Sequence, residues 1–109
     1  MQKFTRRLFV ASALALSVAS AGVAKAEDMI LASVPGLTFP FFVHMMNAFK
    51  AEAAKQGLGV IESDGQVSSP KQTADVEAAI TQGVKGIVIS TSAADAMAPA
   101  LPQAVEANI

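Results

Sequence analysis

The sequence predicts an α/β fold, in which a parallel sheet with strand order 2-1-3 is covered by helices to give three layers. Short apolar runs alternate with helix-like stretches, and each stretch ends in a small residue followed by an apolar one, at Gly57, Gly83 and Asn108. Glycine, and less readily asparagine, adopts the left-handed conformation that closes a helix. Strands that alternate with helices of this length form parallel sheets through right-handed crossovers.

The first strand is predicted at residues 29–34, where an apolar run without alternation indicates burial on both faces. Pro35 and Gly36 then favour a turn. Pro40 suits the first turn of a helix. Apolar side chains recur after it at three- and four-residue steps and predict its inward face, which consists of Phe42, Met45, Met46, Phe49 and Ala53.

The second strand is predicted at residues 58–61, ending in a polar turn at residues 62–65. Ser68 and Pro70 supply an N-cap and a first-turn proline for the second helix. We expect the inward face of that helix to consist of Ala74, Val76, Ala79 and Ile80.

The third strand is predicted at residues 86–89, and a third helix follows the polar turn at residues 90–92. We expect Asp95 to cap this helix. Pro102 lacks a backbone N–H, which predicts a late helix start or a kink there. The inward residues of the helix are predicted to be Met97, Leu101 and Val105.

Residues 1–26 have the pattern of a secretory signal peptide. A basic head with Arg6 and Arg7 precedes an apolar run at residues 8–18 and an Ala-Lys-Ala end at residues 24–26. The run is shorter than the roughly 20 residues of a membrane span, which disfavours the alternative of an N-terminal anchor helix. The paired arginines leave both ordinary unfolded export and twin-arginine export open.

The composition disfavours a nucleic-acid partner and excludes cysteine chemistry. After residue 26 the chain carries four lysines, no arginine and nine acidic side chains, a net charge of about −5. Phosphate backbones are bound by clustered basic side chains, whereas these four lysines are scattered. The sequence contains no cysteine, so disulfides and thiolate metal sites are excluded. We expect the mature protein to be soluble, with no membrane-spanning segment after signal cleavage.

The carboxyl ends of the strands are the predicted ligand site, because ligands of parallel α/β sheets gather there. The loop after the first strand holds Phe39, Phe41 and Phe42, whose rings could stack on the C–H face of a sugar or another cyclic ligand. Backbone N–H groups at the start of the helix would hold its hydroxyls. The alternative is that the rings belong to the core, which is most open for Phe42 because it lies on the apolar stripe of the helix.

Polar residues supply fewer candidates. Thr91 and Ser92 end the third strand and either hydrogen-bond a ligand or serve as turn residues. For Asp64, a role at the rim of a cleft and a solvated turn are both open. His44 is the single histidine, without a cysteine or a carboxylate pair near it in sequence, so we expect no metal site. The sequence shows neither a glycine-rich phosphate loop nor a catalytic set, so we expect no catalytic residue, no cofactor and no enzymatic activity.

The order of motifs is distinctive. A strand directly after the export signal is followed by a Pro-Phe-Phe helix start at residues 40–42 and a second helix that contains a proline. A Gly-Ile-Val-Ile strand at residues 86–89 and an Ala-Asp-Ala helix start at residues 94–96 come next. This order resembles the ribose-binding-protein-like family of periplasmic solute-binding proteins. The resemblance covers residues 27–109 and implies the first part of an N-terminal type I lobe, incomplete because Ile109 would begin a fourth strand.

The resemblance implies a periplasmic receptor of an ABC importer, which binds a small sugar or polyol by hinge closure between two lobes and delivers it to a permease in the inner membrane. The alternative is an exported sensor that docks on a chemoreceptor or sensor kinase. Two polar ligands of the family are replaced here, an Asn by Phe39 and an Asp by Ala93. These departures imply a sugar other than ribose, or a less hydroxylated one.

We expect export to remove residues 1–26, because the small residues at Ala24 and Ala26 match a signal-peptidase site. N-terminal sequencing or intact-mass analysis of the exported protein should give Glu27 as the first residue. An exported protein that still begins at Met1 would contradict this prediction.

Overall fold

The computed structural model describes residues 27–109, and the predicted signal peptide lies outside them. Three strands and three α-helices alternate along this part of the chain, as predicted. The elements are β1 (Met29–Val34), α1 (Pro40–Lys55), β2 (Gly59–Asp64), α2 (Ser69–Gln82), β3 (Gly86–Ile89), a 3-10 helix (Ala94–Met97) and α3 (Leu101–Glu106).

The strands form one parallel sheet in the predicted order β2-β1-β3. β1 is the central strand, and it pairs with β2 from Met29 opposite Gly59 to Val34 opposite Asp64. Its other side pairs with β3. The last four residues of β1 are buried, as the apolar run predicted for a strand enclosed on both faces.

Successive side chains of β1 point into two separate cores, which makes the described part of the chain three layers thick. Leu31 packs with α2 and the 3-10 helix, in a cluster with Val76, Ala79, Val84, Met97 and Ala100. Ala32 and Val34 pack with Met46 of α1, and Leu37, Phe42, Met45, Phe49 and Val60 surround them. The predicted inward face of α1 is therefore confirmed.

Left-handed residues end all three α-helices at the predicted positions. The φ angles are 73° at Gly57, 75° at Gly83 and 61° at Asn108. At the other end of α2, the Ser68 hydroxyl accepts a hydrogen bond from the Lys71 N–H at 3.3 Å, which confirms the predicted N-cap.

One strand boundary and one helix face differ from the prediction. β2 continues through Glu62 and Ser63 to Asp64, where a polar turn was expected, because these residues pair with the end of β1. On α2, Ala74 is exposed and the inward position is occupied by Gln72, which is fully buried. The hydrogen-bonding partners of Gln72 explain why a polar side chain is tolerated there, as described below.

The third helix differs most from the prediction. Asp95 is not its cap, since it lies inside the 3-10 helix, and α3 starts only at Leu101, which confirms the late start predicted from Pro102. The 3-10 helix advances three residues per turn, so the inward face moves back by one position. Leu101 and Val105 are consequently exposed, and the buried residues are Met97, Ala100 and Ala104.

Gly65 is required by close packing. A Cβ there would lie 2.6 Å from the Val34 carbonyl oxygen and 2.8 Å from Gln72 Cγ, whereas a Cβ at Gly86 would meet nothing closer than Ile30 Cγ2 at 3.5 Å. We expect Gly65→Ala to lower the free energy of unfolding by about 2 kcal/mol. Gly86→Ala, the matched control, should change it by less than about 1 kcal/mol.

Denaturant unfolding of the complete gene product measures both variants. Equal midpoints for the two alanine variants would contradict the packing argument.

Candidate functional site

The carboxyl ends of the three parallel strands lie at one edge of the sheet, and each continues into a loop there. Loop 1 comprises residues 35–39 after β1, loop 2 comprises residues 65–68 after β2, and loop 3 comprises residues 90–93 after β3. This edge is the position at which ligands of open α/β sheets bind. It contains all five side chains predicted to contact a ligand, which are Phe39, Phe41, Phe42, Thr91 and Ser92.

Loops 1 and 2 are joined by hydrogen bonds. The Asp64 carboxylate accepts from the Leu37 N–H at 3.2 Å and from the Gln66 N–H at 3.0 Å. The Val67 N–H donates to the Pro35 carbonyl at 2.6 Å. The bond to the Gln66 N–H, two residues on, supports the predicted turn role of Asp64, and the bond to the Leu37 N–H in addition joins loop 1 to loop 2.

The three phenylalanines form one aromatic cluster with Phe42 at its centre. The ring centroids of Phe41 and Phe42 are 5.2 Å apart, those of Phe39 and Phe42 are 6.2 Å apart, and both pairs are edge-to-face. Phe42 is half-buried against Ala32, Val34 and Met46. Phe39 and Phe41 are 46% and 66% exposed, so the cluster presents two apolar rings to solvent on a base anchored in the core.

The start of α1 offers few backbone donors for ligand hydroxyls. Pro40 has no N–H, and the N–H groups of Phe42 and Val43 both donate to the Phe39 carbonyl. Only the Phe41 N–H remains available in this turn. We expected several backbone N–H groups at the helix start to bind ligand hydroxyls, and this turn offers one. The surface there is mainly aromatic.

Val67 belongs to the same surface and was not predicted from the sequence. It is 63% exposed, and its φ of 55° is unfavourable for a β-branched residue. A Cβ at Gly36 would lie 3.2 Å from the Phe39 ring and 3.6 Å from Val67 Cγ2, so both side chains pack over this glycine. No local pattern signals the conformation of Val67, because loop 1 imposes it through the hydrogen bond to Pro35.

Hydrogen bonds within loop 3 and to the buried Gln72 fix the conformation of loop 3. The Thr91 hydroxyl donates to the Ala93 carbonyl at 3.0 Å and accepts from the Ala93 N–H at 3.1 Å, so it closes its own turn and keeps one lone pair for a ligand. Ser92 is exposed, and its N–H donates to the side chain of the buried Gln72. The positions of the Thr91 and Ser92 hydroxyls at the candidate site thus depend on the position of the loop 3 backbone.

The described residues also carry grooves away from loop 1. Two shallow grooves of about 180 and 190 Å³ lie beside β2 and under α1, and neither includes loop 1. His44 is exposed, and residues 27–109 contain no cluster of three potential metal ligands. In the same range, no helix has the length and apolar character needed to cross a bilayer.

Comparison with known proteins identifies the family. Residues 30–109 match the periplasmic binding protein domain. The ribose import binding protein RbsB of Bacillus subtilis is 41% identical over 80 residues, which are 73% of this chain and 26% of that protein. RbsB of Escherichia coli is 35% identical over 98 residues, which are 90% of this chain and 33% of that protein. The chain thus spans about a quarter to a third of the length of these relatives.

Solved structures share the arrangement of strands and helices. An ABC transporter solute binding protein from Mycobacterium smegmatis with bound glycerol has a TM-score of 0.71 and 32% identity, covering 77% of this chain and 29% of that one. The Caulobacter myo-inositol binding protein bound to myo-inositol has a TM-score of 0.71 and 34% identity, covering 79% of this chain and 29% of that one. Sequence and fold agree that this chain belongs to the periplasmic binding protein domain family.

Proposed function

We propose that the complete protein is the periplasmic substrate-binding component of an ABC importer, which captures a small sugar or polyol. The observation that carries this proposal is the pair of exposed rings, Phe39 and Phe41, at the sheet edge where the strand ends meet. Large apolar side chains clustered on an exposed surface mark binding sites. In this reading the protein is a receptor and has no catalytic activity.

The chemistry of the cluster suits a cyclic ligand that has a C–H face. Edge-to-face packing on Phe42 holds the rings of Phe39 and Phe41, so little conformational freedom is lost when a ligand covers them. The Phe41 N–H and the loop 3 hydroxyls of Thr91 and Ser92 would supply directional hydrogen bonds. Ribose, glycerol and myo-inositol, named for the related proteins, are the natural first ligands to test.

Hinge closure between two lobes would explain how a ligand is enclosed on the exposed aromatic cluster. The aromatic cluster lies on the surface of the described residues, so a ligand resting on it keeps one side in water. Contacts from a second lobe would cover that side and favour the closed state over the open one. We infer that residues 27–109 form the first part of an N-terminal lobe, that residues 1–26 direct export to the periplasm, and that the closed receptor docks on an inner-membrane permease.

Calorimetric titration of the complete gene product with ribose, myo-inositol, glycerol and a panel of aldoses tests this function. Saturable binding of at least one sugar or polyol, with a decrease in the radius of gyration by small-angle scattering, is the expected result. Absence of binding across the whole panel would overturn the proposal.

Phe41→Ala should weaken binding of the best ligand by about 10-fold, which corresponds to about 1.4 kcal/mol, because the stacking surface is lost. The free energy of unfolding should fall by less than about 1 kcal/mol, since the ring is mostly exposed. Titration and denaturant unfolding of the same preparation give the two quantities.

Val105→Ala is the matched control, because Val105 is an equally exposed apolar side chain near the end of α3, away from the loops. It should leave affinity unchanged. If both variants bound the ligand with the affinity of the original protein, Phe41 would not be part of the site.

A further inference from the structure

Gln72 is a fully buried amide whose hydrogen bonds join three parts of the chain. Its Nε2 donates to Ser33 Oγ at 3.1 Å and to the Ser90 carbonyl at 2.9 Å. Its Oε1 accepts from the Ser92 N–H at 2.9 Å. The Ser90 carbonyl can only accept and the Ser92 N–H can only donate, so these two partners define which end of the amide is the nitrogen.

Core packing alone does not explain a glutamine at this position. Gln72 lies on the inward face of α2 with Val76 and Ala79, where an apolar side chain would fill the same space. A buried amide is tolerated only when its polar atoms are paired, and here two of the three hydrogen bonds go to backbone groups of loop 3. Those groups flank Thr91 on both sides.

The same side chain also contacts loop 2 and the end of β1. A Cβ on Gly65 would lie 2.8 Å from Gln72 Cγ, so the backbone of loop 2 rests directly on the methylene groups of Gln72. Ser33, its partner on β1, is completely buried. One side chain thus contacts β1 near its end and the loops that follow β2 and β3, at the sheet edge that carries the candidate site.

We propose that Gln72 is a positioning residue of the ligand site, whose buried amide fixes the backbone of loop 3 and thereby the orientation of Thr91 and Ser92 toward a sugar hydroxyl. This inference rests on the proposed function of that edge. Gln72 does not touch the ligand, and it acts through the two peptide groups that it holds.

Gln72→Met tests the proposal in the complete gene product, because methionine keeps the volume and loses all three hydrogen bonds. Gln103→Met is the matched control, since Gln103 is an exposed glutamine on α3 whose side chain donates to the Pro99 carbonyl. The readouts are amide hydrogen exchange by NMR and the affinity for whichever of ribose, myo-inositol and glycerol binds the original protein best.

In Gln72→Met we expect exchange of the Ser92 N–H to rise by at least about 10-fold while that of Leu31 in β1 stays constant, and affinity to fall by at least about 5-fold. Gln103→Met should change neither quantity. Unchanged exchange at Ser92, an equal rise at Ser92 and Leu31, or an affinity equal to that of the control would each overturn the proposal.

Gln72→Glu decides the question if the methionine variant does not fold. A neutral carboxyl group can donate to the Ser90 carbonyl and accept from the Ser92 N–H, whereas the ionised form repels that carbonyl. Affinity of this variant should therefore increase as the pH falls from about 8 to about 5, relative to the original protein. The carboxylates of Asp64 and Asp75 are present in both proteins, so the comparison removes their contribution.

A parallel pH dependence of the two proteins would count against the positioning role. If the original protein bound no sugar at all, the proposed function would fail, and the exchange of the Ser92 N–H would still decide whether Gln72 fixes loop 3.

Discussion

The enclosure of β1 between β2 and β3 is the constraint on which the structure depends. A central strand must pair its backbone on both sides, and the registers with Gly59–Asp64 and Gly86–Ile89 satisfy that requirement. Its side chains then enter two apolar layers, which is why Leu31 and Ala32 belong to different cores. Because all three strands run in parallel, their carboxyl ends meet at one edge, and loops 1, 2 and 3 converge on it.

The parts of the fold that follow from local chemistry could be predicted from the sequence. The left-handed residues Gly57, Gly83 and Asn108 end helices because their own backbone preferences permit it. The end of β2 could not be predicted in this way, since Glu62 and Ser63 are polar and join the strand only through pairing with β1. The inward face of α3 was missed because a 3-10 turn precedes it and changes the spacing from four residues to three.

The candidate site was predictable in position and incomplete in detail. A cluster of phenylalanines at a helix start is visible in the sequence, and the order of the strands places Thr91 and Ser92 at the same edge. Gln72 carries no such signal, since its partner Ser33 lies 39 residues away in sequence. The position of Val67 could not be predicted either, because its left-handed conformation goes with a hydrogen bond to Pro35 in loop 1, which no local pattern indicates.

The edge-to-face contact of Phe41 with Phe42 connects the surface to the interior. Phe42 packs against the cluster of Ala32, Val34 and Met46, so we expect a change in the volume of these side chains to move its ring and, through it, the ring of Phe41. The positions of the exposed rings at the candidate site therefore depend on the hydrophobic layer beneath α1. Substitutions in that layer can alter the shape of the aromatic surface while Phe39 and Phe41 themselves stay unchanged.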